Sequence, residues 1–174
     1  FEGKKCMSVL SRGGRELFNV GHIVEELEKA GFRNGVLDGE LFGVDWNESI
    51  SVVRASKSER NGKLVKFYAF DWLPIKEWKS KKGETILNHR LAFLVGLKSG
   101  GNFRYFEVAP EVKITDSKEA WRLAKEFKSQ GYEGAVAKDL DSVYEFGRSE
   151  SWLKLKFEET YDLKIIGYDD YEDK

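Results

Sequence analysis

A chain of 174 residues with 12 Phe, 7 Tyr and 5 Trp but only 2 Pro has the apolar material for a sizeable core and does not read as an intrinsically disordered segment. The lone Cys6 excludes an internal disulfide and a cysteine-built metal site, which fits a reducing, cytoplasmic setting, and no apolar run is long enough to span a bilayer. The net charge of -1 hides segregation: basic residues gather in 57–66 and 76–82, while Asp169, Asp170, Glu172 and Asp173 crowd the C-terminus, so bulk charge neither announces nor excludes a polyanion partner. In chain order, HIVEELEKAG (22–31) reads as a helix with Ile23, Val24, Leu27 and Ala30 on one face and a stop at Gly31. GVLDGELFGV (35–44) reads as a strand, SKSERNGK (56–63) as a mobile basic turn, and LVKFYAFDWL (64–73) as a second strand. A weaker helical pattern covers 86–97, followed by a strand in RYFEVAPEVKI (104–114). DSKEAWRLAKEFKSQG (116–131) carries a capping-box pattern in Asp116 and Glu119, an apolar stripe of Ala120, Leu123, Ala124 and Phe127, and a stop at Gly131. EGAVAKD (133–139), SWLKLKF (151–157) and DLKIIGY (162–168) complete the strands. Strands outnumber helices without alternating strictly with them, which favours an α+β domain over a doubly wound parallel sheet.

Several short stretches could carry chemistry. Asp38 and Glu40 fall on one strand face about 7 Å apart, either as two acids on an exposed edge or as a pair that wants a cation, a metal or a hydroxyl donor, and Gly39 between them lets another backbone or a ligand approach. In FYAFDWLP, Phe67, Tyr68, Phe70 and Trp72 are mostly core material, and one ring facing a cleft could stack on a planar base. Gly134, Ala135 and Ala137 leave room above their strand, either for a ligand lying flat or for another element packing closely. Arg12 and Arg15 flank the glycine turn Gly13-Gly14, a common surface arrangement. In SWLKLKF, strand alternation puts Trp152, Lys154 and Lys156 on one face and Leu153, Leu155 and Phe157 on the other. Those lysines are either solvated rungs or a grip on something negative. His22 and His89 stand in no recognisable constellation and read as structural.

Taken in order, SRGG, LDGELFG, FYAFDWLP, EGAVAKD and SWLKLK resemble the motif series of the covalent nucleotidyltransferases, which comprise ATP-dependent DNA ligases, RNA ligases and mRNA capping enzymes. YEFGRSESWLKLK (144–156) is most similar to the ATP-dependent DNA ligases, the small bacteriophage type above all. The resemblance spans essentially the whole chain. It implies an α+β nucleotidyltransferase domain over 1–158, lacking its N-terminal start, with mostly antiparallel sheets and flanking helices around a nucleotide cleft. Residues 159–174 would begin an oligonucleotide-binding barrel.

By the same resemblance, a lysine in a Lys-x-Asp-Gly motif attacks the α-phosphate of ATP, and the AMP passes to the 5′-phosphate of a nick, which the 3′-hydroxyl then seals. Phe1, Glu2 and Gly3 occupy the x-Asp-Gly slots with Glu2 in place of Asp. The nucleophile is expected immediately before Phe1, cut away or modified and so uncounted. Glu2, Gly3, Glu40, Phe70, Glu133, Lys138, Lys154 and Lys156 would bind the nucleotide. Within that set Glu40 would meet the ribose hydroxyls, Phe70 would stack on adenine, and Glu133 with Glu40 would hold Mg²⁺. Arg12 would contact phosphate, Lys138 would lie near the α-phosphate, and Lys154 and Lys156 would face the triphosphate, the four together being the catalytic cations. The implied cofactors are ATP and Mg²⁺. The implied partner is nicked duplex DNA in repair, replication or recombination, with a monomeric protein and no membrane. An RNA ligase or capping guanylyltransferase shares this pattern, and a catalytically inactive nucleotide- or nick-binding module is the rival from another class.

Overall fold

The computed structural model describes residues 7–43 and 65–157. The expected strand at 162–168, the basic turn at 56–63, the start of a barrel at 159–174, and Glu2 and Gly3 lie outside the described residues. The described elements, in order, are α1 (Gly21–Lys29), β1 (Gly35–Phe42), β2 (Lys66–Pro74), α2 (Ile75–Ser80), α3 (Leu87–Ser99), β3 (Phe106–Val108), α4 (Ser117–Ser129), β4 (Ala135–Lys138) and β5 (Trp152–Leu155). They divide into two units, one built from residues up to 113 together with 138–151, the other from 114–137 together with residues from 152 onward.

In the first unit, β1, β2 and β3 form a sheet in that order. β1 runs antiparallel to β2, whereas β2 and β3 are parallel, so one of the two pairings departs from the expected antiparallel pattern. The physical reason is the connection: α2 and α3 intervene between β2 and β3, and a crossover of that length returns the chain in the same direction. β3 is also much shorter than the 104–114 run expected. The amide of Ala109 still donates to the carbonyl of Ala69, and Pro110, whose ring fixes φ, follows it. On β2 the residues Ala69, Asp71 and Leu73 are fully buried, a period-two face from which Ala69 joins Leu94 and Phe106 in the core. Leu17, Val20, Ile23, Leu27 and Phe32 extend that core.

α1 ends where the glycine predicted. Gly31 has a positive φ of 76°, the amide of Gly31 donates to Glu28, and that of Phe32 donates to Leu27, the paired bonds of a Schellman terminus. The short helix α2 was not legible as an element. In the second unit, α4 repeats the same ending at Gly131, with amides of Gly131 and Tyr132 donating to Lys128 and Phe127 and the two rings meeting edge to face. Its start is half of a capping box. The Asp116 carboxylate accepts from the Glu119 amide at 2.8 Å, while Glu119 reaches back to the amide of Thr115 and not to that of Asp116. β4 and β5 form a two-stranded sheet.

Candidate active site

The first unit positions Arg12, Glu40, Phe70 and Lys138. Arg12 sits at the tip of a turn closed by the Gly14 amide on the Ser11 carbonyl at 2.8 Å and the Ser11 amide on the Arg15 carbonyl at 2.8 Å, and its side chain is exposed. Gly14 has a φ of 80°, so the glycine there is needed by the backbone itself. Glu40 lies on β1 opposite Tyr68 and is exposed.

Phe70 occupies the most informative position. The β1–β2 register shifts between Asp38, opposite Asp71, and Gly39, opposite Ala69, so Phe70 is the extra residue of a bulge. A bulge leaves its extra residue out of the ladder and re-aims its side chain. Lys138 donates to the Phe70 carbonyl at 2.8 Å, and its ammonium lies 5.4 Å from the Phe70 ring centre. Glu111 pairs with the same ammonium at 3.4 Å, and burial raises its carboxyl above the usual range although Lys138 opposes that shift. Gly39 is required at the bulge for a different reason: a Cβ there would meet the Tyr68 carbonyl oxygen at 2.4 Å. The close neighbour of Gly39 is therefore the chain's own backbone.

Behind the bulge lies a buried polar group that the sequence did not announce. Arg90 and Asp71, both fully buried, form a bidentate pair at 2.7 Å and 3.0 Å. The remaining guanidinium donors reach the carbonyls of Thr85 at 2.6 Å and Ser142 at 3.2 Å. Across the ladder, the Tyr144 hydroxyl donates to Asp38 at 2.8 Å. Burial raises the Asp38 carboxyl above its ordinary value, with the Tyr144 bond working against the shift and Asp71 adding to it. Burial and the Asp38 charge likewise push the Tyr144 hydroxyl up, so it stays a donor. The expected pair of Asp38 and Glu40 is thus split in role: Asp38 is a structural acceptor, and Glu40 faces solvent. A visible signal existed in the sequence, since Arg90 falls at the apolar period of Leu87 and Leu94, and Asp71 falls on the buried alternation of Ala69 and Leu73.

Tyr144→Phe tests this arrangement. It removes a donor to a charged acceptor, worth about 1.5–3 kcal/mol. Asp38 titrates above its unfolded value, so the folded state binds the extra proton and stability falls as pH rises through that window. Without the phenol that fall steepens. Thermal melts should show the variant's deficit largest at neutral pH, where Asp38 is ionised, and shrinking toward about pH 4. A deficit independent of pH would show that the hydroxyl does not serve the carboxylate.

The second unit brings together three of the expected residues. Lys154 and Lys156 both approach one oxygen of Glu133, at 3.2 Å and 3.4 Å. The Lys154 bond, its charge and then Lys156 hold the Glu133 carboxyl below its ordinary value. Of the two readings of Gly134, the close-packing one holds at that residue: a Cβ there would meet the Leu155 carbonyl oxygen at 2.6 Å. Of the apolar face expected on β5, Leu155 and Phe157 are half-buried, and Phe157 meets Trp121 edge to face, whereas Leu153 is exposed.

Among the described residues, no group of three or more His, Cys, Asp or Glu is placed to hold a metal ion. A Mg²⁺ held mainly by substrate phosphates and water needs only one or two protein carboxylates. Glu40 in the first unit and Glu133 in the second are each an exposed carboxylate of that kind. Among the described residues, no helix is long and apolar enough to cross a membrane.

The family model described as the ATP dependent DNA ligase domain matches residues 2–156. The chain is 30% identical over 148 residues to a probable DNA ligase of Kineococcus radiotolerans, covering 83% of this chain and 28% of that protein. It is 25% identical over 155 residues to the DNA ligase of African swine fever virus, covering 84% of this chain and 34% of that one. In fold it is similar to the ATP-dependent DNA ligase from bacteriophage T7 in complex with ATP, with a TM-score of 0.70 at 17% identity over 86% of this chain and 55% of that chain. The chain spans about a third or less of the curated relatives it matches.

Proposed function

The chain belongs to the ATP-dependent DNA ligase domain family and has its adenylation-domain fold, and from that premise we propose that it is the nucleotide-handling part of an enzyme sealing 5′-phosphate/3′-hydroxyl nicks in duplex DNA. The observation that carries this reading is the meeting of Lys154 and Lys156 on the Glu133 carboxylate, two cations from β5 and the residues just after it with an acid from the segment before β4. In the proposed reaction a lysine Nζ immediately before Phe1 attacks the α-phosphorus of ATP, an N–P bond forms, and the P–O bond to pyrophosphate breaks. AMP then passes to the nick's 5′-phosphate and leaves when the 3′-hydroxyl attacks.

The chain's own residues supply three things. Lys154 and Lys156 in the second unit, and Lys138 and Arg12 in the first, are each cations of the kind that stabilise charge gathering on an attacked phosphate. Neighbouring cations also lower the pKa of the attacking lysine and leave more of it unprotonated. Phe70, re-aimed by its bulge, offers a stacking face to adenine, and Glu40, exposed and free of a local salt-bridge partner among the described residues, offers an acceptor to ribose hydroxyls. Glu133 of the second unit and Glu40 of the first are each a carboxylate that would serve as a ligand for Mg²⁺, which supplies Lewis-acid charge neutralisation when bound. Glu2 and Gly3 would stand at the nucleophile's motif. We place the protein in the cytoplasm as a monomer acting on nicked duplex.

A version of the protein carrying a lysine immediately before Phe1 should be labelled covalently by α-labelled ATP in the presence of Mg²⁺ and not by GTP. Transfer of the label to nicked DNA, with no transfer to nicked RNA, separates a DNA ligase from an RNA ligase. Labelling by GTP alone would make it a capping-type enzyme, and no labelling by either nucleotide would leave an inactive binding module.

A further inference from the structure

The segment 76–84 has four lysines and two glutamates, and the fold sorts them by side. Glu77 is turned inward at 7% exposure. Burial works against its charged form, but the Thr85 hydroxyl and the amides of Glu84 and Thr85 all donate to it and together hold its carboxyl below the usual range. The acid of α2 is therefore used up by its own chain. Lys76, Lys79 and Lys81 remain exposed, and none of them has an acidic partner among the described residues. Lys82 alone pairs with a carboxylate, Glu84, in an exposed contact at 3.3 Å.

The lysines are also placed. Lys81 ends α2 in the left-handed conformation with φ 54°, and its ammonium lies 3.6 Å from the Trp78 ring centre and 5.0 Å from that of Phe146. From Trp78 a row of rings leads back toward the nucleotide residues. Trp78 meets Phe146 at 5.7 Å, Phe146 meets Tyr144 at 5.0 Å, and Tyr144 donates to Asp38, two residues before Glu40 on β1. The cationic surface is thus tied through packed side chains to the strand that carries Glu40.

We propose that Lys76, Lys79 and Lys81 form a contact surface for the phosphate backbone of duplex DNA, flanking the nucleotide-handling residues of the first unit. This rests on the DNA-ligase reading. A six-residue helix is about 9 Å long, and duplex DNA presents one charge per about 1.7 Å of axis, so several phosphates lie within reach of the three ammoniums. Lysines act as point charges that position a duplex without reading its sequence, which suits an enzyme that must accept a nick in any context.

Anisotropy titrations of the full chain with a 5′-phosphorylated nicked duplex, between about 50 mM and 200 mM salt, test the proposal. The variant Lys76→Gln/Lys79→Gln/Lys81→Gln should bind about ten-fold or more weakly, uniformly across sequences, and its slope of log affinity against log salt should fall by about 3. The double variant Lys76→Gln/Lys79→Gln leaves the Lys81 ring contacts in place and should lose about two-thirds of that slope. A control with equal charge loss elsewhere, Lys29→Gln/Lys118→Gln/Lys125→Gln, should keep the slope of the unaltered chain. Triple-variant binding equal to that of the unaltered chain, as expected if the surface instead met an acidic protein, overturns the proposal and leaves the ligase reading intact. A fall matched by the control overturns it as well, since net charge alone would then be responsible. Failure of the unaltered chain to bind nicked duplex at any salt overturns both, and nucleotide labelling tests the ligase reading separately.

Discussion

Arg90→Leu is expected to cost about 3–5 kcal/mol of stability, because it strands the Asp71 carboxylate in a fully buried site. The pair is bidentate, and the same guanidinium ties the carbonyls of Thr85 and Ser142 to α3, so one substitution removes four hydrogen bonds. Denaturant unfolding of Arg90→Leu and of Arg90→Leu/Asp71→Leu separates the two contributions. Removing both charges lifts the desolvation cost of the stranded acid, and the double variant should recover much of the loss. A single variant within about 1 kcal/mol of the parent would show that the unpaired carboxyl carries little cost at this buried site. Because Phe70 immediately precedes Asp71, the double variant should also bind ATP more weakly even where it folds, through loss of the fixed bulge beside the ring proposed to stack on adenine.

Lys154→Ala should abolish covalent labelling by ATP while leaving the fold intact. Removing a preorganised charge aimed at a developing negative phosphate costs about 10²–10³ in rate. The stability change should be within about 0.5 kcal/mol, since the lysine side chain is half-exposed and its contact with Glu133 is a solvent-screened surface pair. Quenched-flow labelling beside thermal melts distinguishes the outcomes. Normal adenylation by this variant would remove Lys154 from the chemistry, and a large drop in melting temperature would make the lysine structural.

Much of this architecture was legible because local rules are strong where the chain is short-range. The Schellman endings at Gly31 and Gly131 follow from glycine's access to positive φ, and the Asp116 cap follows from a carboxylate three residues ahead of an orphan amide. The strands of LDGELFG and FYAFDWLP were readable from alternation and aromatic content. The six-residue α2 was not, because it is too short to show a period. The true length of β3 was not legible either, because β propensity continues through 109–114 while only the pairing with β2 decides where the strand ends.

By itself, the sequence determined the family motifs, the α+β class and the candidate residues, because those depend on residue types at fixed spacings along one chain. Only the tertiary structure decided that Phe70 is the bulge residue, that Asp38 answers to Tyr144 and not to Glu40, that Asp71 belongs to Arg90, and that Glu133 is shared by two lysines. Each of those is a pairing of groups 19 to 106 residues apart, or a register slip between strands. Burial and long-range geometry select such partners, and neither is encoded in any local period.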